Sequence, residues 1–242
     1  MPADGAGMVP RNKLLAKLPR EEFEVVAPDL DMVRLQFKTI LHEPFEPIEY
    51  VYFVEHGVVS MVNEPESGDI IEFATIGPEG MAGFPILLGT RSVPSRALVQ
   101  IPGDGLRMRA RDLERALPRA PVLHRILLRY LMALLNQIAQ STSCNRLHEV
   151  QERCARWLLQ THDRVESDTF PLTQEFLSQM LGVHRPSVSV AARMLQKAGL
   201  IDYSRGNIRI ADRKGLEAAS CSCYKLIKGE YDRLLEEKEF AK

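Results

Sequence analysis

Long apolar runs are missing from this chain. None of its 242 residues fall in a stretch approaching the roughly 20 that a bilayer-crossing helix needs. The opening MPADGAGMVPRNK lacks the apolar core of a secretory signal, so a cytoplasmic protein without a membrane partner is expected. Cysteine is sparse: Cys144, Cys154, Cys221 and Cys223, with none earlier, which does not read as a disulfide framework in a chain of this size. The six histidines (His42, His56, His124, His148, His162, His184) are scattered without metal-ligand spacing. There is no Walker loop, no nucleophile elbow and no paired-carboxylate setting, and no repeat or low-complexity tract. These absences argue against an enzyme and predict neither a cofactor nor a metal.

What is present is divided by charge. Residues 21–79 hold fourteen Asp or Glu against Arg34 and Lys38, a balance of −12. Residues 171–215 hold seven Arg or Lys against Glu175, Asp202 and Asp212, a balance of +4. An acidic module joined to one that meets something anionic is implied, and the length is comfortable for two cores.

From about residue 30 to 110 the chain shows brief apolar or alternating runs cut by Gly, Pro, Asn and Glu, the pattern of a small antiparallel barrel or roll. Gly57, between YVYFVEH and VVSMV, suggests a tight reversal between two strands, and NEPESGD a polar hairpin connection. The period then changes. From Pro121 to about Cys144 apolar residues recur at helical spacing, with Leu127, Leu131, Leu134 and Ile138 in the 4-3-4 steps of a coiled-coil seam. Leu123, Ile126, Tyr130 and Leu135 widen that face, so the helix needs two surfaces to pack on. One surface is the roll; the other is a second copy of the helix in a homodimer, the alternative being burial wholly within its own chain. The polar cluster STSCNR past Ser143 predicts a break or hinge. VQERCARWLLQTHDRV then reads as an amphipathic helix with Val150, Cys154, Trp157 and Leu158 on one side.

The most specific pattern lies further on. Thr173 is placed to cap a helix carrying Phe176, Leu177, Met180 and Leu181 inward. Gly182 permits a sharp turn into a second helix from about Arg185 to Lys197, with Val188, Ala191, Ala192 and Leu195 inward, and Gly199 ends it. LIDYSRGNIRIAD reads as a hairpin turned at Arg205, Gly206 and Asn207. That order is a winged helix-turn-helix, whose second helix presents its N-terminal residues to base edges in the major groove of double-stranded DNA. Arg185, Ser187 and Ser189 are the candidate readers, Arg193 and Lys197 candidate phosphate contacts or a solvated face, and Thr173, His184 and Pro186 border them. Pro186 is no objection to a helix start, because the first N–H groups of a helix have no internal partner; it is expected to bias Arg185 toward an extended, cap-like position.

The fold class expected is α+β: an N-terminal antiparallel β-roll of double-stranded β-helix type (1–120), a dimerisation helix (121–145) and a C-terminal winged helix-turn-helix with a tail helix (146–242). At this point LTQEFLSQMLGVHRPSVSVAARMLQKAGLI and YVYFVEHGVVSMVNEPESGDIIEFATIGPEG resemble the Crp/Fnr family of bacterial transcription regulators, over about residues 20–215. The resemblance implies a homodimer on a pseudo-palindromic operator, acting through RNA polymerase. The departures are as informative. The family's acidic and arginine base-reading positions fall on Pro186 and Val190, which implies a different operator. In cyclic-AMP-binding members a Gly-Glu pair holds the ribose, an Arg-Ser pair the phosphate and a Thr-Ser pair the base. Here Gly83 is followed by Phe84, the phosphate pair aligns with Ser95 and Arg96 in reversed order, and the base pair falls on Ile138 and Ala139. With Arg91 nearby as a possible anion contact or a solvated residue, an effector other than cyclic AMP, or none, is implied. Iron–sulfur members carry an N-terminal cysteine cluster that this chain lacks. Cys221-Ser222-Cys223 reads as two small residues on a tail helix, since two thiols make an incomplete zinc site; a soft-metal or redox switch is the alternative. The function expected is sequence-specific transcription regulation; the alternative is a cytosolic small-ligand or redox sensor whose output is not DNA binding.

Overall fold

The computed structural model describes residues 9–66, 68 and 70–236. The chain forms two compact units, one from the described parts of Met1–Ser60, Ile76–Leu134 and Tyr231–Lys242, the other from those of Met61–Thr75 and Leu135–Glu230.

The first unit is the antiparallel roll. A short helix α1 (Arg20–Val26) precedes strands β1 (Asp31–Leu35), β2 (Ile40–His42) and β3 (Tyr50–Asn63). After β4 (Ile71–Ile76) come β5 (Met81–Ala82) and β6 (Arg96–Arg109). β6 lies between β1 and β3, β2 also pairs with β6, and β5 pairs with β3. The interior is filled by alternating apolar residues of the two long strands, among them Val51, Phe53, Val99, Leu106 and Met108. Beyond Ser60, β3 continues into the second unit, where it forms a hairpin with β4 around the expected polar connection.

Gly57 does not reverse the chain. It sits inside the continuous 14-residue β3 at φ 89°, opposite a second glycine in β6. A Cβ on Gly57 would stand 2.4 Å from the carbonyl oxygen of Ile101, and one on Gly103 only 2.0 Å from that of His56. The glycine therefore marks a close approach of two backbones and not a turn.

The segment before α1 is locked into the roll by a buried polar residue. Asn12, fully buried, donates to the carbonyls of Val54 and Gly80 (2.9 Å each), and its Oδ1 accepts from the N–H of Leu14 at 3.1 Å. Buried Glu55 accepts from the N–H groups of Arg11 (2.7 Å) and Asn12 (3.1 Å). Such pairing is what lets polar groups sit in a core without a desolvation penalty.

α2 (Ala110–Ala116) leads to the long helix α3 (Pro121–Leu147). Its start is capped by Glu22 of α1, whose carboxylate accepts from the N–H groups of Val122 (3.0 Å) and Leu123 (2.9 Å). STSCNR does not break this helix. The hydroxyls of Thr142 and Ser143 donate back to the carbonyls of Ile138 and Ala139, so the polar side chains are accommodated within the helix. The break comes at His148–Glu149.

In the second unit α4 (Val150–His162) begins with a capping box between Glu149 and Glu152. It is not amphipathic in the expected sense. Residues 153–161 are all buried, Arg153, Arg156 and Gln160 included, because this helix packs against several neighbours at once. Trp157 donates to buried Glu72 of β4 at 2.8 Å. β7 (Thr169–Pro171), α5 (Gln174–Leu181), α6 (Arg185–Lys197), β8 (Ile201–Ser204) and β9 (Asn207–Ile210) follow, the strands forming a small sheet in the order β7-β9-β8. α7 (Arg213–Ala219) and α8 (Cys223–Leu235) end the described chain. Arg213 anchors them, donating to Asp163 (2.6 Å) and Glu217 (2.9 Å), while the Tyr224 hydroxyl donates to Asp163 at 2.9 Å.

Candidate nucleic-acid interface

α5 and α6 are built as their sequence dictates. Thr173 Oγ1 accepts from the N–H of Phe176 at 3.1 Å, removing one unsatisfied donor at the start of α5. Gly182 ends α5 in the left-handed region at φ 60°. The orphan carbonyl of Leu181 is taken by the guanidinium of Arg153, so α4 clamps the turn from below. Val188, Ala191, Ala192 and Leu195 are buried, which fixes the outward face of α6.

That face carries the expected residues. His184, Arg185, Pro186, Ser187, Arg193 and Lys197 are exposed, as is Thr173 at the start of α5, and Ser189 is half-buried. Arg185, Ser189 and Arg193 follow at four-residue steps and share one side of the helix. The extended cap position is His184 (ψ 141°), and Arg185 is the first helical residue. The expected displacement of Arg185 by Pro186 does not occur, because the N–H of Ser187 closes a turn onto the carbonyl of His184 at 2.9 Å, across both residues. Pro186 has no N–H and that of Ser187 is occupied, so the start of α6 offers few backbone donors to phosphate and leaves recognition to side chains.

One contact was not legible in the sequence, and the expected wing turn is sharpened. The Ser189 hydroxyl is 2.6 Å from Gln174 Oε1 and 3.1 Å from the Arg185 carbonyl, so Gln174 orients it from the first residue of α5. The wing turns on Arg205 (φ 50°) and Gly206 (φ 79°), the two positive-φ positions of a tight hairpin, with Asn207 already in β9. This places the exposed cation of Arg205 at the wing tip.

The residues aligned with an effector pocket are divided between the units. Gly83 (φ 88°) opens a 3-10 turn at Phe84, which is half-buried. Ser95 is buried. Arg91 is paired with Glu114, and Arg96 with Glu43 at 2.7 Å, so both cations have carboxylate partners and neither is simply solvated. Ile138, half-buried, and Ala139, exposed, belong to the second unit.

The proposed dimer seam needs correction. Leu127, Leu131 and Leu134 are at most 5% exposed within the single chain, so they serve its own core, and Ile138 is half-buried. The same 4-3-4 spacing moved one residue along gives Leu128, Met132, Leu135 and Ala139, all exposed. Heptad spacing alone does not distinguish two adjacent stripes on a helix that is apolar on both.

An antiparallel roll, a long helix and a winged helix-turn-helix with a basic outer face define a DNA-binding protein of regulator architecture. Residues 152–219 match the Crp-like helix-turn-helix domain. No curated protein matches the chain. FixK2 from Bradyrhizobium japonicum superposes with a TM-score of 0.68 at 20% identity, over 80% of this chain and 98% of that one. A CRP/FNR-family transcriptional regulator of Thermus thermophilus gives 0.65 at 20% identity, over 78% and 98%. The c-di-GMP-responsive global regulator CLP of Xanthomonas campestris gives 0.63 at 17% identity, over 78% and 97%. Residues 152–219 thus carry a Crp-like helix-turn-helix domain, and the chain shares the fold of Crp/Fnr-family proteins, the architecture of a DNA-binding transcription regulator. Among the described residues no helix is long and apolar enough to cross a membrane.

Proposed function

We propose that the protein binds a pseudo-palindromic operator as a homodimer, α6 of each protomer entering successive major grooves. The observation that carries this reading is the outward face of α6, where Arg185 leads an exposed stripe above a buried, well-capped scaffold. In this reading Arg185 donates two bonds to a guanine edge, Ser187 and Gln174-oriented Ser189 serve neighbouring bases or phosphates, and Arg193, Lys197 and wing-tip Arg205 neutralise phosphate. His184, Pro186 and Thr173 border the same surface. Pro186 offers no hydrogen bond and exposed Val190 only an apolar contact, for instance with a thymine methyl, so the operator differs from the familiar half-sites. Dimerisation through Leu128, Met132, Leu135 and Ala139 sets the half-site spacing. Contact with RNA polymerase completes the regulatory output, under an effector other than cyclic AMP or under none.

Arg185→Ala is expected to cost about 1–3 kcal/mol of specific binding and to relax preference at one position of each half-site, whereas Lys197→Ala lowers the salt slope by about one charge. Binding isotherms on single-base operator variants at several salt concentrations read both. An unchanged base preference in Arg185→Ala would remove that residue from the reading role.

A further inference from the structure

The fold assembles a cluster that neither sequence segment contains alone. Cys144 on the last turn of α3 and His148 just beyond it are one helical turn apart, with the His148 N–H bonded to the Cys144 carbonyl at 3.1 Å. Cys221 lies in the bend between α7 and α8, and Cys223 is the first residue of α8. The four ligand atoms all lie within 4.8 Å of one another. Cys144 Sγ is 3.5 Å from Cys221 Sγ, and Cys223 Sγ is 3.5 Å from His148 Nδ1. A tetrahedral ion with sulfur at about 2.3 Å and nitrogen at about 2.0–2.1 Å separates its ligand atoms by roughly 3.5–3.8 Å. All three thiols are at most 3% exposed, and His148 is half-buried at the margin.

From this geometry we propose that Cys144, His148, Cys221 and Cys223 form a tetrahedral site for a single zinc-type divalent ion, closed to further ligands. Three thiolates select a soft or borderline metal over magnesium or calcium. The site would join the end of the long helix to the α7–α8 bend, fixing the chain on both sides of the break at His148–Glu149.

The surroundings fit such a group. Gln140 donates to Cys223 Sγ at 3.1 Å, the kind of outer hydrogen bond that orients a metal ligand. Arg153 and Arg156 are each only 6% exposed, and the Nε of each has no hydrogen-bond partner among the described residues. Thiolate charge in the cluster is the favourable partner for the Arg153 guanidinium, Cys144 foremost. The hydrogen bond from Cys221 draws the Cys144 thiol below its usual range, while that bond and burial push Cys221 up. Each thiol that binds as a thiolate releases its proton to solvent as the ion arrives. Arg153 also caps the carbonyl of Leu181, so the cluster is one side chain removed from the helix-turn-helix bend.

The test uses the full-length protein, reduced and stripped of metal, titrated with Co2+ and then Zn2+. The expected result is one Co2+ per protomer with thiolate charge-transfer and tetrahedral ligand-field absorption, displaced by one equivalent of Zn2+, and a higher melting temperature on loading. Cys144→Ser, Cys221→Ser and Cys223→Ser lose the tetrahedral spectrum, while Cys154→Ser, a buried thiol outside the cluster, keeps it. Gln140→Ala, which leaves all four ligands in place, weakens binding about 10–100-fold and tests the site even where a cysteine variant fails to fold. A reduced wild-type protein that gives no tetrahedral spectrum, or a spectrum that Cys154→Ser abolishes or Gln140→Ala leaves at full affinity, overturns the proposal.

Discussion

Gly103→Ala is expected to destabilise the roll by at least about 3 kcal/mol, among the largest effects available to a single methyl group. The added Cβ would stand 2.0 Å from the His56 carbonyl oxygen, 2.4 Å from its carbon and 2.8 Å from the Gly57 nitrogen. All three are backbone atoms, so no side-chain rotamer relieves the overlap, and β3 and β6 must separate at this point. Gly57→Ala meets the same obstacle from the other strand, at 2.4 Å from Ile101 O, with a backbone at φ 89° that disfavours any side chain. Gly229→Ala is the contrast: it lies within α8 with nothing within 4 Å of the new methyl, and should gain about 0.5–1 kcal/mol from helix propensity. Urea unfolding followed by circular dichroism reads the difference; the single tryptophan, Trp157, sits in the second unit and reports on that unit only. Gly103→Ala unfolding within 1 kcal/mol of the parent would mean that the strands yield far more easily than two paired backbones should.

The double substitution Met132→Glu, Leu135→Glu is expected to weaken the dimer by about 1000-fold, or roughly 4 kcal/mol, while the protomer stays folded. Leu128, Met132 and Leu135 are 45%, 47% and 49% exposed, far more than apolar residues of a helix that has finished packing. Burial of such side chains against a second copy contributes on the order of 1.5–3 kcal/mol each. Carboxylates facing their own symmetry mates lose that burial and add like-charge repulsion. Leu131→Ala separates the two stripes of the helix: it opens a cavity in the chain's own core, costing about 2–5 kcal/mol of stability, without touching the dimer surface. Sedimentation equilibrium of both variants checks the assignment. An unweakened dimer in the Glu variant would move the interface elsewhere.

Legibility in the sequence followed the range of the interactions. The helix-turn-helix was readable to the residue because its signals are local: Thr173 bonds three residues ahead, Gly182 makes its own turn, and the inward side chains repeat with the helical period. Where a role depends on a distant partner, the sequence misled or fell silent. Gly57 looks the same whether it turns a chain or admits Ile101 from another strand. The 4-3-4 pattern of α3 fits Leu127 as well as Leu128, and only packing decides which faces inward. The apolar side Val150, Cys154, Trp157 and Leu158 suggests a one-sided helix, whereas Arg153 and Arg156 are buried as well. Cys144 and Cys221, 77 residues apart, carry no spacing signal at all; the sole local hint was Cys-x-Cys, half of a ligand set.

The central claim, that this chain reads DNA as a symmetric dimer, is tested most directly by selecting bound sequences from a random double-stranded DNA library with the full-length protein, with and without cell extract. The expected result is an enriched inverted repeat, its half-sites spaced by about one helical turn or a multiple of it and distinct from the familiar half-sites of the fold. Enrichment only with extract would identify the dependence on an effector. No enriched sequence under either condition would contradict the account.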